Sequence, residues 1–112
     1  MDADFSQAMR FAADLGKVAP HVVKQAGAAV RLATLGTERD AKVLAPVDTG
    51  NLRNSITSSV RGLTGVVGPT ADYGRYVEEG TSRMGPQPYM GPATDRNAAL
   101  FVQAMDKIDP GL

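Results

Sequence analysis

Apolar residues recur at helical spacing in several stretches of the chain and at alternate positions in one, a pattern that predicts helices arranged around a small sheet. Between Asp4 and Leu15, Phe5, Met9, Ala12 and Ala13 fall three and four residues apart, Phe11 and Leu15 flank that stripe, and Gly16 follows. This predicts a short first helix. Pro20 suits the first turn of a second helix, where its missing N–H would have had no intrahelical partner. Val22, Val23, Ala26, Val30, Ala33 and Ala41 then mark an apolar face as far as Leu44. Lys24, Arg31, Glu38, Arg39 and Lys42 fall on the solvent side. Gly27 and the Leu35-Gly36-Thr37 step are weak points, since an interior glycine costs about 1 kcal/mol against alanine. A bend or break near Gly36 is therefore expected.

The helix should stop at Ala45, because proline disfavours the α conformation in the residue before it. In "PVDTG", Asp48 and Thr49 offer side-chain acceptors to unpaired backbone N–H groups and Gly50 makes positive φ cheap, so the stretch reads as a capped turn. Leu52 and Ile56 would anchor its exit, and the corner would convert a helix directly into a strand. "NSITSSVRG" and "TGVVGPT" are rich in β-branched residues and joined through Gly62, which predicts a hairpin with Ile56, Ser58 and Val60 on one face of its first strand. "DYGRYVEEG" predicts a two-turn helix with Asp72 as N-cap and Gly80 as its end. "TSRMGPQPYMGP" holds three prolines and two glycines and predicts an extended loop. Pro92 would start a last helix with Ala98, Phe101, Met105 and Ile108 in one stripe.

The expected fold is α+β, one domain over residues 1–112, in which a long N-terminal helical segment and a C-terminal helix pack on a small antiparallel sheet. Its parts are helix over 4–45, corner over 46–53, β-hairpin over 54–70, short helix over 72–79, projecting loop over 81–91 and helix over 92–108. A length of 112 residues suits one modest core.

Charge and composition narrow the function classes. Twelve basic and twelve acidic residues give a formal charge of zero, so no global attraction to nucleic acid or to an anionic membrane is encoded. The absence of cysteine excludes disulfides, thiolate zinc sites and a cysteine nucleophile. No apolar run approaches the roughly 20 residues that span a bilayer, and the acidic start does not read as a secretory signal, so a cytosolic chain is expected. No cofactor is expected, because no glycine-rich phosphate loop occurs.

Catalytic chemistry finds little support. His21 is the single histidine and has no second imidazole to share a metal or a relay. Glu78 and Glu79 are adjacent, hence about 100° apart on a helix, and cannot flank one bond. Asp48 beside Arg53 reads more simply as a turn carboxylate with a structural arginine. The remaining feature is the Pro/Gly-punctuated arm with Arg83, Met84, Tyr89 and Met90. Large apolar groups on a loop either fold back on their own core or dock onto another chain, and docking is the favoured reading.

In order and spacing, "APVDTGNLRNSI", a β-hairpin, "YGRYVEEGTS" and "PQPYMGPA" resemble the gene-product-ten-like tail-component family of long-tailed bacteriophages over roughly residues 40 to 95. The resemblance implies that Pro46, Asp48, Thr49, Gly50, Leu52 and Arg53 hold the corner. Tyr73, Tyr76, Val77, Glu78, Gly80 and Thr81 would form a second motif, and Pro88, Tyr89, Met90, Pro92 and Ala93 a third. It further implies a non-enzymatic virion protein, a tail-completion, terminator or neck component. Copies would form a homo-oligomeric ring, expected to be hexameric, at the head-tail junction after assembly in the host cytoplasm. Adjacent neck proteins and the tail tube protein would be partners, with DNA passing through non-specifically and no membrane involved. Candidate subunit or ring contacts are Tyr73, Tyr76, Glu78, Arg83, Met84, Pro88, Tyr89 and Met90. The alternatives are a head-closure stopper or portal adaptor and, remotely, a metal-dependent hydrolase or nuclease using Asp48, Glu78 and Glu79.

Overall fold

In the computed structural model, which describes residues 8–13, 15, 18–46, 50–71 and 73–108, the chain runs through seven elements. They are β1 (Met9–Ala12), α1 (Pro20–Leu44), α2 (Gly50–Ser55), β2 (Ile56–Arg61), β3 (Thr64–Pro69), α3 (Gly74–Glu79) and α4 (Met90–Asp106). Helices packed against a three-stranded antiparallel sheet make an α+β fold, as expected.

α1 forms where the sequence predicts it. Pro20 opens it, and the Ala19 carbonyl accepts the first N–H groups, from Val22 at 3.0 Å and Val23 at 3.2 Å. It ends against Pro46: Ala45 is extended at φ −63° and ψ 137°, as a residue before proline must be, and its N–H still donates to the Ala41 carbonyl at 2.9 Å. The expected break at Gly36 does not occur. Gly36 is buried, and an added Cβ would lie 2.2 Å from the Asn97 Oδ1 of α4, so the glycine marks a close helix crossing instead of a weak turn. Val23, expected inside, is exposed.

The buried face of α1 is made largely of small residues: Ala26, Ala29, Ala33, Thr34, Gly36, Thr37 and Ala41 beside Val22 and Val30. Thr34 and Thr37 are fully buried polar residues that satisfy themselves by donating to the carbonyls of Val30 and Ala33, both at 2.8 Å. The sheet lies directly on this face. A Cβ on Gly65 of β3 would sit 1.9 Å from the Thr34 hydroxyl oxygen, so only glycine lets the two backbones come this close.

The first helix expected over residues 4–15 is a correction, since residues 9–12 are a strand. β1 pairs antiparallel with β3, Met9 opposite Val67 and Phe11 opposite Gly65, which gives the order β1-β3-β2. The physical reason is local alternation: Phe11 is buried while Arg10 and Ala12 are exposed, a period of two that the alanine spacings masked. Inward, Phe11 meets Val30 and Ala33, and its ring lies 5.6 Å from that of Phe101 on α4. Residues 4–7 of the expected helix lie outside the described residues, as does Asp72, the expected cap of α3. Ile56, Ser58 and Val60 share the inward face of β2 as predicted, and Gly62 closes the hairpin with φ +56°.

A second core completes the packing. Leu52, Ile56, Val67, Val77, Tyr89, Met90 and Ala93 cluster against Ala41 and Ala45 at the C-terminal end of α1. Polar clasps tie α1 to both neighbours. Ser58 donates to Glu38 at 2.5 Å, and the buried Asn97 donates to Asp40 at 2.9 Å and to the Ala93 carbonyl at 2.8 Å. The Ser58 hydroxyl and then Lys42, 3.1 Å away, hold the Glu38 carboxyl below its usual range; Arg39 and then Asn97 do the same for Asp40.

Two outcomes are expected. Gly65→Ala should cost about 1–3 kcal/mol of stability, the range for overpacking a tight site, and combining it with Thr34→Ala should recover part of that loss in urea unfolding. Because Glu38 and Asp40 titrate lower in the folded chain than in the unfolded one, their contribution is complete above the ordinary carboxylate range and declines as pH falls through their lowered values. Thermal unfolding scans should therefore show a loss on acidification that is reduced in Glu38→Gln/Asp40→Asn.

Candidate functional site

The arm that the sequence singled out has a fixed root and an exposed tip. α3 ends at Gly80, whose φ of +82° suits glycine and whose missing side chain leaves room for Pro86; an added Cβ would lie 2.7 Å from the proline nitrogen. The Gly80 N–H donates back to the Tyr76 carbonyl at 2.8 Å. Thr81 and Met84 exchange backbone hydrogen bonds at 2.8 and 3.3 Å, which folds the tip into a tight turn, and the Gln87 N–H returns to the Val77 carbonyl at 2.8 Å. Residues 81–88 are all exposed.

Glu78 holds the root. Its Oε1 accepts from the N–H groups of Tyr89 at 3.0 Å and Met90 at 2.8 Å, and its Oε2 accepts from Gly91 at 3.0 Å. These N–H groups open α4 and have no partner inside the helix, so the carboxylate caps it and meets the positive end of its dipole. The expectation that α4 starts at Pro92 is corrected by one half-turn: it starts at Met90 because this cap lies upstream.

The same geometry gives three expected contact residues a role inside the domain. Tyr89 and Met90 are buried in the core, at 0% and 1% exposure, so the arm folds these two back on its own domain. The Tyr89 hydroxyl donates to the Gly74 carbonyl at 3.0 Å, and burial pushes its phenol well above the usual tyrosine range. Glu78 is half-buried and not a solvated helix end, because three backbone donors engage it.

Four expected contact residues lie on the surface with Arg83. Tyr73, Tyr76 and Met84 are large and exposed, at 38%, 49% and 45%, and Pro88 lies at the base of the tip. Arg75 stacks over the Tyr76 ring at 5.3 Å, which stiffens this patch. Arg83 has its N–H held by the Thr81 hydroxyl at 3.2 Å.

Of the corner residues, Asp48 and Thr49 lie outside the described residues. Pro46 ends α1, Gly50 opens α2, and Leu52 is fully buried. The Arg53 guanidinium donates to the Ala45 carbonyl at 3.3 Å, tying the corner back to the end of α1. The corner does not pass directly into a strand, because α2 intervenes and its Ser55 hydroxyl donates to the Leu52 carbonyl at 2.8 Å.

Sequence reasoning missed a second exposed surface. Leu32, Leu35 and Leu100, with Phe101 and Ala104, line an open cleft of about 500 Å³ between α1 and α4. Leu32 is 71% exposed, a larger apolar exposure than anything on the arm. The signal available was the presence of Leu32 and Leu35 off the predicted buried stripe. Among the described residues, no three His, Cys, Asp or Glu side chains gather as a metal site, and no helix is long and apolar enough to cross a membrane.

A family model described as "Bacteriophage HK97-gp10, putative tail-component" matches residues 8–80, which contain the corner, the hairpin and α3. No curated protein and no solved structure matches the chain.

The clamp sets a clear expectation. Glu78→Ala leaves three N–H groups without their charged acceptor and should cost about 2–3 kcal/mol, while Tyr89→Ala should cost about 3–5 kcal/mol by opening the core. Denaturant unfolding of the isolated protein reads both. A Tyr89→Ala chain as stable as the parent would place that ring outside the fold.

Proposed function

The chain belongs to the HK97-gp10-like family of bacteriophage tail components, and from that premise we propose that it is a ring-forming neck or tail-completion protein at the head-tail junction. Membership makes it a phage structural protein; the ring and its place in the particle are our reading. The observation that carries the reading is the exposed Tyr73, Tyr76 and Met84 patch beside a tip whose backbone is already tied down. Ordering a loop on binding costs free energy, and a loop held by its own hydrogen bonds has less of that cost left to meet.

A ring also needs two different surfaces on each subunit, since a head-to-tail contact joins unlike patches. The arm on α3 and the leucine-lined cleft between α1 and α4 are two such surfaces on separate elements. The proposed partners are further copies in a hexameric ring, the adjacent neck proteins and the tail tube protein. A formal charge of zero agrees with a ring through which DNA moves without being held.

Gold-labelled antibody against the chain should decorate the head-tail junction of intact particles in electron micrographs. Label along the tail shaft, or on none of the particles, would overturn the placement. Met84→Asp, which puts a charge on an exposed apolar tip, should leave the circular dichroism of the free chain unchanged and lower the yield of joined particles about ten-fold or more, the effect of losing roughly 1.4 kcal/mol at each contact. An undiminished yield would remove the arm from the interface.

A further inference from the structure

The sheet has two outer strands, β1 and β2, because β3 lies between them. Hydrogen-bonded and non-hydrogen-bonded pairs alternate along an antiparallel ladder. Pro69 has no N–H and stands opposite Ile56, so this pair is of the non-hydrogen-bonded kind. So, by alternation, are Ser58 with Val67 and Val60 with Gly65, and the bond from the Thr70 N–H to the Ser55 carbonyl at 2.9 Å keeps the same phase. The backbone N–H and C=O groups of Ser58 and Val60 therefore point away from β3, toward the open edge. No proline interrupts β2, and its register is continuous to Arg61, so the edge is a template for another strand.

α1 lays positive charge beside the turn at the end of this edge. Lys24 and Arg31 line a hollow with Gly62 and Leu63, the turn that follows β2. Seven residues beyond Arg31 on the same stripe, Glu38 reaches Ser58 of β2, and that acid is already engaged by Ser58 and Lys42. Arg61 adds an exposed cation on the strand itself. A strand that pairs here meets uncompensated positive charge, and an acidic segment fits it.

Residues 1–7, Met-Asp-Ala-Asp-Phe-Ser-Gln, carry two aspartates and no lysine or arginine, and they lie just upstream of β1. We propose that the β2 edge accepts residues 1–7 of a second copy as an added strand, with Asp2 and Asp4 on the side of Lys24 and Arg31. Each copy then gives a segment from the β1 side of its sheet and receives one at β2. Such a contact is head-to-tail, so it deepens the ring reading above and rests on it only for closure.

The absence of cysteine makes the test direct. Ala3 alternates with the two aspartates and would share the outer face of β2 with Ser59, so full-length Ala3→Cys and Ser59→Cys chains are mixed under mild oxidation. A mixed disulfide should be the main product. Lys24→Glu/Arg31→Glu in the Ser59→Cys chain should lower its yield about ten-fold, as two interfacial charge pairs at ~0.7 kcal/mol each imply, and Asp2→Lys/Asp4→Lys in the other chain should restore it. Circular dichroism of every variant checks that it is folded. The proposal is overturned if the mixed disulfide forms no better than with Gln103→Cys on α4 as partner, or if the charge swap fails to restore it. A disulfide confined to single chains of an Ala3→Cys/Ser59→Cys double variant also overturns it. Gold label missing from particles while the mixed disulfide persists would sink the neck placement alone.

Discussion

Close approach along α1 governs the molecule. A helix carrying bulky side chains holds its neighbours 8–10 Å from its axis or farther, whereas α1 presents Ala, Gly and Thr to two sides at once. On one side Gly65 lets the middle strand rest against Thr34; on the other Gly36 admits Asn97 of α4. Short side chains bury little apolar area each, so the stabilisation has to come from dense contact and from the pairing of the polar groups that the seam buries. Thr34 and Thr37 bond their own helix, and Asn97 is held by both Asp40 and Ala93. The larger side chains gather at the ends of this narrow seam, with Phe11 and Phe101 at one end and Leu52, Ile56, Tyr89 and Met90 at the other.

The second cluster explains how a Pro-rich loop is tolerated. A loop of this composition cannot satisfy its backbone in a ladder, and two of its large residues would be costly in water. Turning Tyr89 and Met90 inward solves the second problem. Glu78 solves the first for the start of α4, and Gly80 with the Thr81 and Met84 turn solves it for the tip.

Much of this was legible in the chain. Proline placed both ends of α1, β-branched alternation placed the hairpin, and Gly80 placed the end of α3, because each of these is a local steric rule. What stayed hidden depends on partners distant in sequence. β1 reads as helix until the edge of β3 is known, since four residues are too few for either period to dominate. Gly36 reads as a defect until Asn97, far along the chain, is placed against it. Glu78 looks like one of two solvated acids, and only the path of the loop shows that it faces three backbone donors. Apolar loop residues offered two readings, and packing divided them: Met84 outside, Tyr89 and Met90 inside.

The Glu78 clamp grips backbone and nothing else, and the turn between Thr81 and Met84 is closed by two backbone bonds to which one side chain, the Thr81 hydroxyl, adds a third. Beyond Thr81, no tip side chain takes part in these bonds, and Ser82, Arg83, Met84 and Gln87 can be exchanged without disturbing the socket that presents them. The domain separates what must be kept from what is free to drift. Under selection for a changing neighbour, variation would concentrate in those few exposed positions while glycine at 80 and glutamate at 78 stay fixed, giving an old scaffold a replaceable fingertip.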